Sequence, residues 1–240
     1  MFSKTANKKL KWHQKWWGVV ILVILALLLI SGAVIVYRIL TLYQQISTPQ
    51  QTEADLSNIL ATNPNYNVEA FLQTEDDPYW GPKDAEIILV EFSDFQCAFC
   101  EQAFPILQKI RQDYKDKVKI IYRDYINLKD HPDALNAAMA AECSQDQNFF
   151  WPYHDLLFSN QQDLSLANLK RLAAISGMDT EKFNACLDSQ KYYLEVMNDV
   201  EDAAKLNVTG TPTFFINGAR VTGVQTYETF VKIINAIEAN

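Results

Sequence analysis

At 240 residues and 49% hydrophobic content, the chain holds enough apolar mass for a membrane segment and one domain with a sizeable core. Its net charge of −8 is uneven: six of the 21 basic residues fall in the first forty positions, while residues 41–240 keep the other 15 and all 29 acidic ones, a net −14. Such a domain repels nucleic-acid phosphates, and nothing forms the basic stripe with interleaved aromatics that binding them requires.

Residues 1–17 form a basic flank with Lys4, Lys8, Lys9, Lys11 and Lys15. The uncharged run Val19 to Val36, inside a segment taken as 18–40, is long enough as a helix to cross a bilayer. Five lysines before it against Arg38 after it predict a cytoplasmic N-terminus and an extracytoplasmic C-terminal domain. Trp12, Trp16 and Trp17 on one side, with Tyr37 and Tyr43 on the other, suit the two interfaces. Ser31-Gly32-Ala33 supplies small residues for a cleaved signal peptide, but the apolar run continues beyond them and favours an anchor. Either way the domain lies where disulfides persist.

Residues 41–76 are polar, with Pro49 and Pro64, and predict a solvated stalk with one short helix around Glu53 to Leu60. Asp77 to Glu86 is turn-rich. Ile87 to Phe92 is a short apolar run rich in branched residues and reads as a buried strand, followed at once by a helix beginning near Cys97. Pro105 falls inside that helix and predicts a kink. Val118 to Tyr122 reads as a second strand, and about 131–207 as a helical block with breaks at Ser159-Asn160 and Ser176-Gly177. Its aromatic cluster, Phe149 to Phe158, reads as core. Thr213 to Ile216 and Arg220 to Thr222 form a hairpin about Asn217-Gly218, and Tyr227 to Ala239 closes the chain as an amphipathic helix. The order β-α-β, helical block, β-β-α predicts an α/β mixed sheet with a helical insertion over residues 77–240.

The chemistry centres on Cys97 and Cys100. A thiol at a helix N-terminus meets unpaired N–H groups and the positive end of the dipole, which favour a thiolate, and a second thiol one turn on lies within reach of a disulfide. Cys97 therefore attacks and Cys100 resolves. Half a zinc site is the competing reading, but His13, His131 and His154 do not stand at metal-ligand spacing, so no metal is expected. Cys143 and Cys186 either pair with each other or sit as small buried residues in separate helices; an exported compartment favours the structural disulfide.

The runs GPKDAEIILVEFSDFQCAFC, AAMAAECSQDQNFFWPYHDLLF and VTGTPTFFINGARVTG resemble the DsbA-like thiol-disulfide oxidoreductases, thioredoxin-fold proteins with a helical insertion. The resemblance covers about Asp77 to Asn240. It implies that Cys97 is the nucleophile, Cys100 the resolving cysteine, Pro105 a helix kink, Glu91 a buried acid, and Pro212 a cis-proline that presents the backbone of Thr211 to an extended substrate chain. Alternation alone leaves Glu91 undecided between core and solvent, because it faces away from Val90 and Phe92. If buried, its pKa rises and it passes protons. Ala98 departs from relatives that carry proline directly after the first cysteine.

The expected protein is a membrane-anchored dithiol oxidase without metal, nucleotide or flavin cofactor. Its substrates would be thiols or disulfides of exported proteins, and a membrane thiol oxidase would recycle it. A reductase or isomerase is the alternative among enzymes, and a metallochaperone or holdase the alternative among binding proteins.

Overall fold

A computed structural model describes residues 16–46, 72–74 and 76–239. The expectations for the flank before Trp16 and for a helix around Glu53 to Leu60 fall outside them. The first unit contains α1 (Trp16–Ile46), within which Gly18–Thr41 is long and apolar enough to cross a membrane. Its 24 residues span about 36 Å as a helix. The Ser31 hydroxyl donates to the Leu28 carbonyl at 2.9 Å and the Thr41 hydroxyl to that of Arg38 at 2.9 Å, so neither needs a partner from outside the helix.

The second unit is built on a five-stranded sheet in the order β1-β3-β2-β4-β5. The strands are β1 (Tyr79–Trp80), β2 (Ile87–Ser93), β3 (Val118–Asp124), β4 (Thr213–Ile216) and β5 (Ala219–Thr222). β2 and β3 run parallel, joined by the crossover helix α2 (Ala98–Asp113); the other three pairings are antiparallel. β1 lies in the stretch read from sequence as turns. Gly81 follows it at φ +97°, where an added Cβ would meet the Val118 carbonyl oxygen at 2.2 Å, so only glycine lets the chain pass. In the β4–β5 hairpin, Asn217 and Gly218 both have positive φ, as a type I′ turn demands. The Asn217 side chain also accepts from the Ile88 N–H at 2.7 Å and donates to the Glu86 carbonyl at 3.0 Å, pinning the hairpin to β2.

The central strand β2 is covered on both faces. Ile87 and Leu89 pack with Leu107 and Ile110 of α2 and with Phe230 and Ile233 of α8 (Tyr227–Glu238). Val90 and Phe92 pack on the other face with Leu72, Phe215 and Leu206. Leu72 is buried there, so the packed unit reaches back to the end of the expected stalk.

Five helices fill the insertion: α3 (Ala134–Gln145), α4 (Phe150–Ser159), α5 (Leu166–Ile175), α6 (Thr180–Asp188) and α7 (Tyr193–Lys205). Ala137, Ala138, Ala140 and Ala141 of α3 have no exposed surface, and their small side chains let α4 to α7 close around that helix. Cys143 of α3 is bonded to Cys186 of α6, with Cα atoms 5.9 Å apart.

Candidate active site

The site forms where β2 ends and α2 begins. Cys97 is the N-cap of α2, extended at φ −78° and ψ 121°, and Cys100 lies one turn into the helix. Both thiols are free; Cys97 keeps 7% of its surface exposed and Cys100 none. Burial therefore leaves the Cys97 sulfur the more accessible of the two.

The turn before Cys97 is tied on several sides. The Cys97 N–H donates to the Asp94 carbonyl at 3.0 Å, and the carboxylate of Asp94 accepts from the N–H groups of Gln96 at 2.7 Å and Asn127 at 2.9 Å. The ring Nδ1 of His131 lies 2.7 Å from the same carboxylate. His131 thus braces the loop from 37 residues away, a role that local pattern does not signal.

Opposite the helix end, the Thr211–Pro212 peptide is cis and leads into β4. The Cys97 thiol donates to the Thr211 carbonyl at 3.5 Å. Ala98 and Phe99 are exposed, Phe99 by 60%. The exposed Phe99 ring thus lies two residues from a sulfur that meets a backbone carbonyl.

The two thiols are electrostatically unlike. A hydrogen bond from Cys100 brings the Cys97 pKa down to about 5 against its partial burial, assisted by the Thr211 side chain and by the backbone N–H groups of Cys100 and Phe99. Burial pushes Cys100 well above the ordinary thiol range, and its hydrogen bond to Cys97 and the nearby Glu91 carboxylate add to the effect. At neutral pH the Cys97 sulfur is a thiolate and the Cys100 sulfur holds its proton.

Glu91 is buried on β2, on the α2 face with Ile87 and Leu89. Its carboxylate accepts the Ser93 hydroxyl at 2.9 Å. Burial lifts its pKa to about 7, opposed by that hydrogen bond and by the positive charge of Arg111. Alternation could not place it because the rule assumes one wet face, and this strand has none.

Sequence reasoning assigned nothing to His154 or Gln161. His154 sits in a nest of aromatic rings including Phe95, Phe104, Tyr122 and Phe158, with Nδ1 2.9 Å from Asp155, and burial pushes its pKa down. The Nε2 amide of Gln161 donates to the carbonyls of Phe95 and Cys97, each at 2.9 Å. Among the described residues, no group of three or more His, Cys, Asp or Glu is arranged to hold a metal ion.

A parallel β-α-β unit with a dithiol at its helix N-terminus, a cis-proline leading into the next strand and a hairpin beyond define a thioredoxin fold, here carrying an inserted helical block. The family described as "Thioredoxin" matches residues 73–236, and the chain belongs to it. Solved structures share the fold. BdbD from Bacillus subtilis in its oxidised form is 24% identical, with a TM-score of 0.64 over 70% of this chain and 96% of that one. Wolbachia pipientis alpha-DsbA1 is 24% identical, with a TM-score of 0.65 over 72% and 96%. A thioredoxin-like oxidoreductase from Silicibacter pomeroyi is 22% identical, with a TM-score of 0.65 over 73% and 99%. The fold is thus that of the DsbA-like thiol-disulfide oxidoreductases.

Curated relatives carry a different name. Na(+)/H(+) antiporter NhaA 3 of Salinispora tropica is 39% identical over 141 residues, 58% of this chain and 21% of that protein. NhaA of Herminiimonas arsenicoxydans is 34% identical over 169 residues, 70% of this chain and 27% of that protein. The match spans only about a fifth to a quarter of those antiporters, so ion transport does not carry over.

Proposed function

We propose that the protein is a membrane-anchored thiol-disulfide oxidoreductase that introduces disulfides into exported proteins through Cys97 and Cys100. The observation that carries this reading is the placement of the pair: Cys97 caps α2 at the surface beside the Thr211 carbonyl, and Cys100 lies fully buried behind it.

In the oxidising direction, a substrate thiolate attacks Cys97 Sγ of the oxidised pair and breaks the Cys97–Cys100 bond. Cys100 leaves as a thiolate and takes a proton, which Glu91 is placed to supply through its buried carboxyl. The second substrate thiolate then attacks the substrate sulfur of the mixed disulfide, and Cys97 leaves as a stabilised thiolate. The substrate loses two electrons and two protons. One proton ends on Cys100 and the other in solvent. A membrane thiol oxidase takes the two electrons and closes the cycle. Thr211 and Pro212 form the edge along which the substrate backbone lies, and Cys143 with Cys186 staples the insertion.

The basic flank before α1 supports a cytoplasmic N-terminus, which sets the domain in the compartment where such substrates fold. The test is covalent trapping with the full chain in detergent and a reducible client such as unfolded, oxidised ribonuclease. Cys100→Ala should accumulate a mixed disulfide through Cys97, and Cys97→Ala should accumulate none. Equal yields from both variants, or none from either, contradict the assignment.

A further inference from the structure

We propose that Gln161, contributed by the helical insertion, is the positioning residue that holds the Phe95–Cys97 turn in the geometry that makes Cys97 the attacking sulfur. The inference rests on the thiol-exchange reading above and extends it to a residue outside the thioredoxin core.

Gln161 follows the C-terminal end of α4 and is half-buried. Its Nε2 faces two carbonyl oxygens, Phe95 and Cys97, each at 2.9 Å. Two acceptors converging on one terminal group fix the amide orientation, since an oxygen there would meet both carbonyls with like partial charge. Phe95 has no exposed surface, so its carbonyl depends on a partner from within the protein.

The Cys97 carbonyl is the more telling of the two. It already accepts the Glu101 N–H at 3.1 Å as the first helical bond of α2, and Gln161 supplies its second donor. The negative end of this carbonyl belongs to the residue that must carry a thiolate, and a donor on it withdraws that partial charge. The same bond fixes the peptide between Cys97 and Ala98, and hence the direction in which the N–H groups of Phe99 and Cys100 approach the Cys97 sulfur. The insertion therefore sets how strongly the helix N-terminus holds the thiolate.

The experiment compares the full chain in detergent with Gln161→Met, which keeps length and shape but removes both hydrogen bonds, and with Gln161→Glu, which keeps the shape but offers only acceptors. Two properties are read: the pH midpoint of Cys97 alkylation by iodoacetamide, and the equilibrium of the Cys97–Cys100 pair with glutathione. The midpoint should rise by about one pH unit in Gln161→Met and further in Gln161→Glu. The glutathione equilibrium should move about tenfold toward the disulfide, or about 30 mV. Wild-type values of both in Gln161→Met overturn the proposal, as does a lower melting temperature with no shift in either. If the wild-type chain itself exchanges no disulfide with glutathione, the oxidoreductase reading fails, and the alkylation profiles still decide the role of Gln161.

Discussion

Ser93 donates its hydroxyl to the Glu91 carboxylate at 2.9 Å, and both side chains are closed off from water on the α2 face of β2. The pair lies beneath the helix that carries the cysteines, and both residues act electrostatically on Cys100. A buried acid here has two measurable consequences, one for stability and one for the reaction.

Burial lifts Glu91 from an ordinary 4.5 to about 7, so the folded protein holds this proton more tightly than the unfolded chain does. Its contribution is fully present below pH 4.5 and is lost as pH rises through 7, by on the order of 3 kcal/mol. Glu91→Gln should therefore gain stability relative to the wild type by about that amount between pH 4.5 and 8, read from urea unfolding at the two pH values. An equal difference at both would show that the carboxyl is not proton-linked. The same variant should slow formation of the mixed disulfide from the oxidised pair roughly tenfold or more, because the departing Cys100 thiolate loses its proton donor.

The thiols should titrate apart. Cys97, held near 5, should react with iodoacetamide at pH values where an ordinary thiol is inert, while Cys100 should stay unmodified through neutral pH. Mass spectrometry of peptides from partly alkylated protein reads both in one experiment. Faster labelling of Cys100 would reverse the assignment of attacking and resolving sulfur.

Arg123 on β3 has no exposed surface and joins Asp199 of α7 at 2.6 Å, Asp202 at 3.1 Å and Asp77 at 3.2 Å. Asp199 also accepts the Asp124 N–H at 2.8 Å, so this cluster links the sheet to the insertion. Arg123→Met leaves buried carboxylates without their cation and should cost about 3–5 kcal/mol at pH 7.5. Burial raises Asp77 to about 6 and raises Asp199, so the loss should shrink as pH falls through 6 and these acids take protons. A loss independent of pH would point to packing instead of charge.

The Cys143–Cys186 bond closes a separation of 43 residues between α3 and α6. Replacing both by alanine should cost about 4 kcal/mol by the chain-entropy argument. Urea unfolding of the variant measures it, and an unchanged midpoint would mean that the insertion does not depend on the link.

What the sequence could reveal follows from how local each signal is. The branched run Ile87 to Val90, the cysteine spacing and the Asn217-Gly218 turn are contiguous patterns, and the structure places β2, α2 and the β4–β5 hairpin on them. The helical block over about 131–207 is legible for the same reason, and the structure divides it into five helices. Two-residue β1 is too short to carry a period. Glu91 escaped because a strand covered on both faces gives alternation no wet side to refer to. Gln161 and Arg123 act across 64 and 76 residues of chain, and pairings at that distance leave no local mark.

The reduction potential tests the central claim most directly. The pKa of Cys97, about 5, lies between those of the nucleophilic thiols of DsbA, about 3.5, and thioredoxin, about 7, so its thiolate stabilises the reduced state to an intermediate degree. Ala98 keeps a backbone N–H where a proline would remove one, while exposed Phe99 brings no charge to hold the thiolate. Equilibrating the full chain in detergent against glutathione should give a potential between about −120 and −230 mV, that of a dithiol oxidant. A value near thioredoxin's, about −270 mV, would mean that the reduced state is not favoured and would make the protein a reductase.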